Sequence, residues 1–136
     1  MEESNWCGRA VRRWELGPST FLADPEHGAR LMRWSLKAGQ GSRQVLYWPE
    51  SAEGVPWRSI RGGNPILFPF AGRSFAQGLE GCWRDPDGTV REMPRHGFVR
   101  DGRFKLAWMD STGFEARLEP AEETREYYPF SYDFRV

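Results

Sequence analysis

Apolar and charged positions alternate along much of this chain. Arg30-Leu31-Met32-Arg33-Trp34-Ser35-Leu36, Gln44-Val45-Leu46-Tyr47-Trp48, Phe104-Lys105-Leu106-Ala107-Trp108, Gly113-Phe114-Glu115-Ala116-Arg117-Leu118 and Ser131-Tyr132-Asp133-Phe134-Arg135-Val136 each mix the two kinds of residue roughly in turn. A period of two sends successive side chains to opposite faces, which is the pattern of a half-buried strand. Helical patterning is thin, because 15 glycines and 10 prolines leave no uninterrupted window with an apolar period near 3.6. Three turn signals divide the strands: Asp24-Pro25-Glu26-His27-Gly28, Asp85-Pro86-Asp87-Gly88 and Asp110-Ser111-Thr112-Gly113. Each puts Pro or a hydroxyl residue where a turn starts and Gly where a positive φ is wanted.

Three hairpins are predicted: Ser19–Leu22 with Arg30–Leu36, Gly81–Trp83 with Thr89–Arg91, and the strand at Lys105 with the strand at Glu115. The first residues have the look of an opening hairpin. Short strands at this spacing predict an all-β fold, an antiparallel β-sandwich occupying residues 1–136 as one domain. Ser131–Val136 reads as a strand that stops with the chain, so the sandwich is expected to be incomplete on that side. Its edge would then be open to a homo-oligomer or a complementing chain.

Composition narrows the function classes. Lys plus Arg and Asp plus Glu number 19 each, so the net charge is zero and no nucleic-acid or acidic-membrane footprint appears. The acidic start, Met1-Glu2-Glu3-Ser4-Asn5, leads into no apolar stretch, and the longest apolar run is far too short for a membrane span. The expectation is a soluble cytoplasmic protein. Two cysteines, Cys7 and Cys82, and two histidines give neither a disulfide framework nor a zinc set, and both cysteines are read as small buried hydrophobes. No cofactor or metal is expected. Of the 19 basic residues only Lys37 and Lys105 are lysines, leaving 19 − 2 = 17 arginines, whose planar forks suit carboxylates, phosphates and vicinal hydroxyls.

Three segments carry candidate chemistry. Ser59-Ile60-Arg61-Gly62-Gly63-Asn64-Pro65-Ile66-Leu67-Phe68-Pro69-Phe70-Ala71-Gly72-Arg73 is a poor central strand and reads as a rigid irregular wall between two arginines. As a bare pattern it fits a buried turn with two solvated arginines equally well. In Met93-Pro94-Arg95-His96-Gly97-Phe98-Val99-Arg100, His96 projects from constrained backbone, where an imidazole could serve a pair of sugar hydroxyls or simply be a satisfied core or surface residue. His27 reads as plain loop. Thr124-Arg125-Glu126-Tyr127-Tyr128-Pro129-Phe130-Ser131-Tyr132 reads as an aromatic turn into the last strand.

In this order, the three segments resemble the aldose 1-epimerase family, galactose mutarotase-like proteins, and particularly its bacterial and hexose-6-phosphate members. The resemblance covers about Arg30 to Val136. It implies a large antiparallel β-sandwich that interconverts the α and β anomers of an aldose or hexose 6-phosphate without a cofactor. That reaction needs a base at the anomeric hydroxyl and an acid at the ring oxygen. In the family these are a Glu and a His downstream of the Tyr-Pro-Phe segment, so no catalytic residue is expected within this chain. The resemblance instead implies substrate binding by His96 and Arg73 at the sugar and by Arg61 and Arg100 at a phosphate. Asn64 joins that set, although many relatives carry another residue there. Glu92 or Asp101 could act locally with His96, but both sit beside arginines that would pair with them.

Overall fold

The computed structural model describes residues 1–136. The alternating segments at the start of the chain form a five-stranded antiparallel sheet in sequential order: β1 (Glu2–Trp6), β2 (Arg9–Leu16), β3 (Ser19–Asp24), β4 (Arg30–Ala38) and β5 (Gly41–Leu46). Cys7 and Gly8, at φ 50° and 78°, make the two-residue turn that sets β1 on β2 with Trp6 opposite Arg9. Left-handed backbone at both central positions matches the twist of the flanking strands. One sheet face aligns Trp14, Phe21 and Trp34 across β2, β3 and β4. The other presents Val11 and Leu22 to a cluster of Trp6, Met32, Trp48, Trp57 and Ile60.

Two short hairpins follow, β6 (Phe75–Ala76) with β7 (Leu79–Glu80) and β8 (Cys82–Arg84) with β9 (Val90–Glu92). The chain then enters a three-stranded antiparallel sheet of β10 (Lys105–Asp110), β11 (Gly113–Leu118) and β12 (Phe134–Arg135). The tip of the β10–β11 hairpin rests on the first sheet, where the Trp14 indole N–H donates to the Asp110 carbonyl at 2.9 Å and its ring lies 5.6 Å from that of Phe114. A second core gathers Ala29, Met93, Phe98, Val99, Phe104, Ala116 and Leu118. At its flank the Phe68 ring meets those of Phe98, Tyr128, Tyr132 and Phe134 with centroids 5.2–6.1 Å apart. Each such contact contributes about 0.5–1.5 kcal/mol beyond the area it buries.

The antiparallel class and all three expected hairpins are present. Several local expectations change. Glu122–Tyr127 is a short helix, α1, not an aromatic turn. The Thr124 hydroxyl accepts from the Ala121 N–H at 3.0 Å, and Glu122 and Glu123 sit in the positive first turn. Six residues are too few to show a helical period, so pattern alone hides this element. The last strand is shorter than Ser131–Val136. It pairs with β11 as the outer strand of its sheet, and Val136 and Ala116 exchange two further backbone bonds at 2.9 and 3.0 Å. Neither cysteine is buried, because Cys7 sits exposed at the turn and Cys82 is half-buried.

The first two motif segments are joined by a close backbone approach. Phe98 N–H donates to the Phe68 carbonyl at 3.0 Å, and Gly97 has φ 75°. A β-carbon on Gly97 would stand 1.8 Å from that same carbonyl oxygen. Gly97→Ala therefore has both a left-handed backbone and a backbone clash to relieve, and it should lower stability by about 3 kcal/mol or more. Urea denaturation checks this, with a large drop in midpoint or loss of soluble protein expected.

Candidate functional site

A cleft of about 420 Å³ opens where the two motif segments meet, lined by Arg58, Ser59, Ile60, Arg61, Arg95, His96 and Arg100. Its first wall is the loop from Trp57 to Asn64, which begins as a single 3-10 turn at Trp57–Ser59. This loop is fastened to β4 and to the chain after β5. Gly63 N–H donates to the Tyr47 carbonyl and Asn64 N–H to the Leu31 carbonyl, both at 2.7 Å. Gly63, at φ 63°, can approach this closely because a β-carbon there would meet the Leu31 oxygen at 2.5 Å.

The fastening residue that the sequence pattern did not single out is Arg30. Only 3% exposed at the start of β4, it donates to the carbonyls of Trp57 at 3.2 Å, Ile60 at 2.8 Å and Gly62 at 2.7 Å. Its guanidinium also lies over the rings of Trp48 and Trp57, 4.7 and 5.3 Å from their centroids. Burial, reinforced by the nearby Arg100 charge and opposed by Asp101, pushes its pKa down to about 10, so it remains a cation at neutral pH. Below it, His27 stacks on Trp57 with centroids 5.2 Å apart, and Arg9 lies 4.3 Å over the same ring while pairing with the buried Asp24 at 3.3 Å. His27 is thus part of the support under Trp57, not a plain loop residue.

The second wall is Pro94–Arg100. His96 has φ 70°, and its backbone N–H donates to the Gly72 carbonyl at 2.7 Å. In return Gly72 N–H donates to His96 Nδ1 at 2.9 Å. A backbone amide can only donate, so Nδ1 is an acceptor and the ring proton of neutral His96 sits on Nε2. Desolvation first, and then the charges of Arg100 and Arg95, hold its pKa below the usual value. No carboxylate lines this cleft.

Cation density is the dominant electrostatic feature. Asp101 lies 3.4 Å from Arg58 Nε and 3.9 Å from Arg100 Nε. The buried Arg100 Nε has no hydrogen-bond partner. Arg61 and Arg95 take part in no ion pair. The expectation that Asp101 would pair with arginines holds, which removes it as a free base beside His96.

Of the expected site residues, the cleft brings together Arg61, His96 and Arg100. Arg73 stands outside its lining, exposed and paired with Glu80 at 3.0 Å, although its neighbour Gly72 is the residue that grips His96. Asn64 is exposed and also outside the lining, with only its backbone in use. Arg58 and Arg95 enter the cleft without having been expected there. Arg95 adjoins His96 in sequence, but nothing in the pattern of Arg58 distinguishes it from the other arginines. No group of three His, Cys, Asp or Glu side chains gathers to hold a metal ion.

No family model matches the chain. It is 26% identical over 113 residues to a protein of Escherichia coli (strain K12) named "Putative glucose-6-phosphate 1-epimerase", covering 77% of this chain and 31% of that protein. Among solved structures, a protein of Synechocystis sp. PCC 6803 superposes over 99% of this chain and 46% of its own with a TM-score of 0.78 and 24% identity. A galactose mutarotase related enzyme from Lactobacillus acidophilus superposes over 93% of this chain and 37% of its own, with a TM-score of 0.70 and 22% identity. The chain spans between about a third and a half of the length of these proteins. It is aldose 1-epimerase-like in sequence and galactose mutarotase-like in fold.

His27 and His96 both have lowered pKa values, each led by burial and reinforced by neighbouring arginines. The unfolded chain binds protons at these sites before the folded one does. Their stability contribution is therefore complete above the unfolded value of 6.5 and is lost as pH falls through the lower folded values. Melting temperature should be flat from pH 8 to 7 and fall between pH 6.5 and 5. A His27→Gln, His96→Gln double variant should show a shallower fall over that window.

Proposed function

We propose, starting from an aldose 1-epimerase-like chain, that this protein binds a hexose 6-phosphate, with the phosphate on the arginines of the cleft and sugar hydroxyls on His96. The observation that carries this reading is the concentration of Arg58, Arg61, Arg95 and Arg100 around one cleft with a single nearby carboxylate. A phosphate would accept charge-assisted hydrogen bonds from these guanidiniums while countering their charge. A neutral sugar would satisfy hydrogen bonds but leave the excess of cations in place.

His96 fits the part of a hydroxyl ligand. With Nδ1 held by Gly72 and Nε2 carrying the proton, it offers one N–H to a hydroxyl oxygen, and its surroundings oppose a second proton. That also makes it a poor proton carrier. Opening a hemiacetal needs an acid and a base on opposite sides of the exchange, and the cleft offers no carboxylate to complete such a pair. Binding is accordingly the role proposed for these residues, and mutarotation is the reaction that such binding would serve.

Titration calorimetry with glucose 6-phosphate and with glucose tests the reading. The phosphorylated ligand should bind the more tightly, and Arg61→Ala or Arg100→Ala should weaken it by about tenfold to a hundredfold while changing glucose binding little. Equal affinity for the two ligands, or no heat with either, would overturn it. Polarimetry of the chain alone should show no acceleration of glucose 6-phosphate mutarotation; an acceleration abolished by His96→Ala would contradict the division drawn here.

A further inference from the structure

Arg30 stands behind the cleft and not in it. It is almost completely buried, and its guanidinium makes three hydrogen bonds, all to backbone carbonyls within Trp57–Gly62. That same stretch carries Arg58, Ser59, Ile60 and Arg61, four of the seven residues that line the cleft. Beyond Arg30, the loop is held by the burial of Trp57 and Ile60 in the first core and, at its far end, by the backbone bonds of Gly63 and Asn64. Its 3-10 turn is one turn long without a side-chain cap, and after Ile60 and Arg61 come two glycines at positive φ, Gly62 and Gly63. Pro94–Arg100, across the cleft, is anchored independently through Gly72 and Phe68.

We infer that Arg30 is a positioning residue for anion binding, fixing Arg58 and Arg61 through the carbonyls of Trp57, Ile60 and Gly62 without touching the ligand. This rests on the hexose 6-phosphate reading above. A guanidinium is suited to the task because one planar fork reaches three carbonyls at once while its faces stack on Trp48 and Trp57. An ammonium keeps the charge but is a single point on a flexible stem. Arg30→Lys therefore leaves the loop tethered at fewer places, and Arg58 and Arg61 sample positions away from the anion. The other wall keeps its geometry.

The test is a mutant cycle on the full chain, read by calorimetry with glucose 6-phosphate and accompanied by melting curves. Arg30→Lys, and Arg30→Gln as a second variant that keeps two donors, should fold and bind about tenfold more weakly than the native chain. In an Arg58→Ala, Arg61→Ala background the same change at Arg30 should cost less than about twofold, because the side chains it positions are gone. In an Arg95→Ala background the full tenfold loss should persist. Limited trypsin digestion gives a readout without ligand, with faster cleavage after Arg58 or Arg61 expected in Arg30→Lys than in the native chain.

An equal loss in both backgrounds would mean that Arg30 acts on the whole fold, and it would overturn the inference. So would unchanged affinity and unchanged cleavage, or failure of both Arg30 variants to fold. If the native chain does not bind glucose 6-phosphate, the underlying reading fails and the inference with it; native binding with no effect at Arg30 sinks the inference alone.

Discussion

A buried cation has to find its partners inside the protein, and that requirement at Arg30 organises the region around the cleft. Taking a guanidinium out of water is costly unless its donors are satisfied. Backbone carbonyls from Trp57, Ile60 and Gly62 meet that demand at the two terminal nitrogens, with two indole rings over the group, while Nε has no partner. These bonds, with that from Asn64 N–H to the Leu31 carbonyl, tie the irregular stretch after the first sheet to β4. The tryptophan cluster beneath it, supported by His27, Arg9 and Asp24, then closes one core.

The second core is reached through different physics. There the contacts are aromatic, with Phe68 meeting four rings drawn from two distant parts of the chain, Phe98 and the segment Tyr128–Phe134. Gly97 permits the backbone approach that brings Phe68 and Phe98 together. The cleft lies between the two arrangements, one wall fixed by a buried cation and the other by a close-packed glycine. Its two sides therefore have separate sources of rigidity.

Electrostatics at the cleft follow from this construction. Arg30 already stands near Arg100, so each further arginine lowers the tolerance for positive charge, and Asp101 relieves only part of it. Desolvation, and after it the charges of Arg100 and Arg95, oppose protonation of His96. A residue that the sequence offers as a general-purpose donor and acceptor thus becomes a fixed single donor, through the Gly72 amide on one nitrogen and cationic surroundings on the ring.

The sequence by itself determined the strand class, the three hairpins and the two motif segments whose meeting makes the cleft, because alternation and turn residues act over a few neighbouring positions. It also pointed to Arg61, His96 and Arg100. It could not distinguish Arg58, nor reveal Arg30, since a buried arginine inside a strand pattern looks like any charged position on a solvent face until its partners, about thirty residues away, are folded against it. The short helix α1 was hidden for a related reason, being too brief for periodicity to register. Tertiary structure decided which arginines converge and that Arg73 turns away to Glu80, because convergence depends on loops whose course is set by a few long-range hydrogen bonds, and no local pattern encodes those.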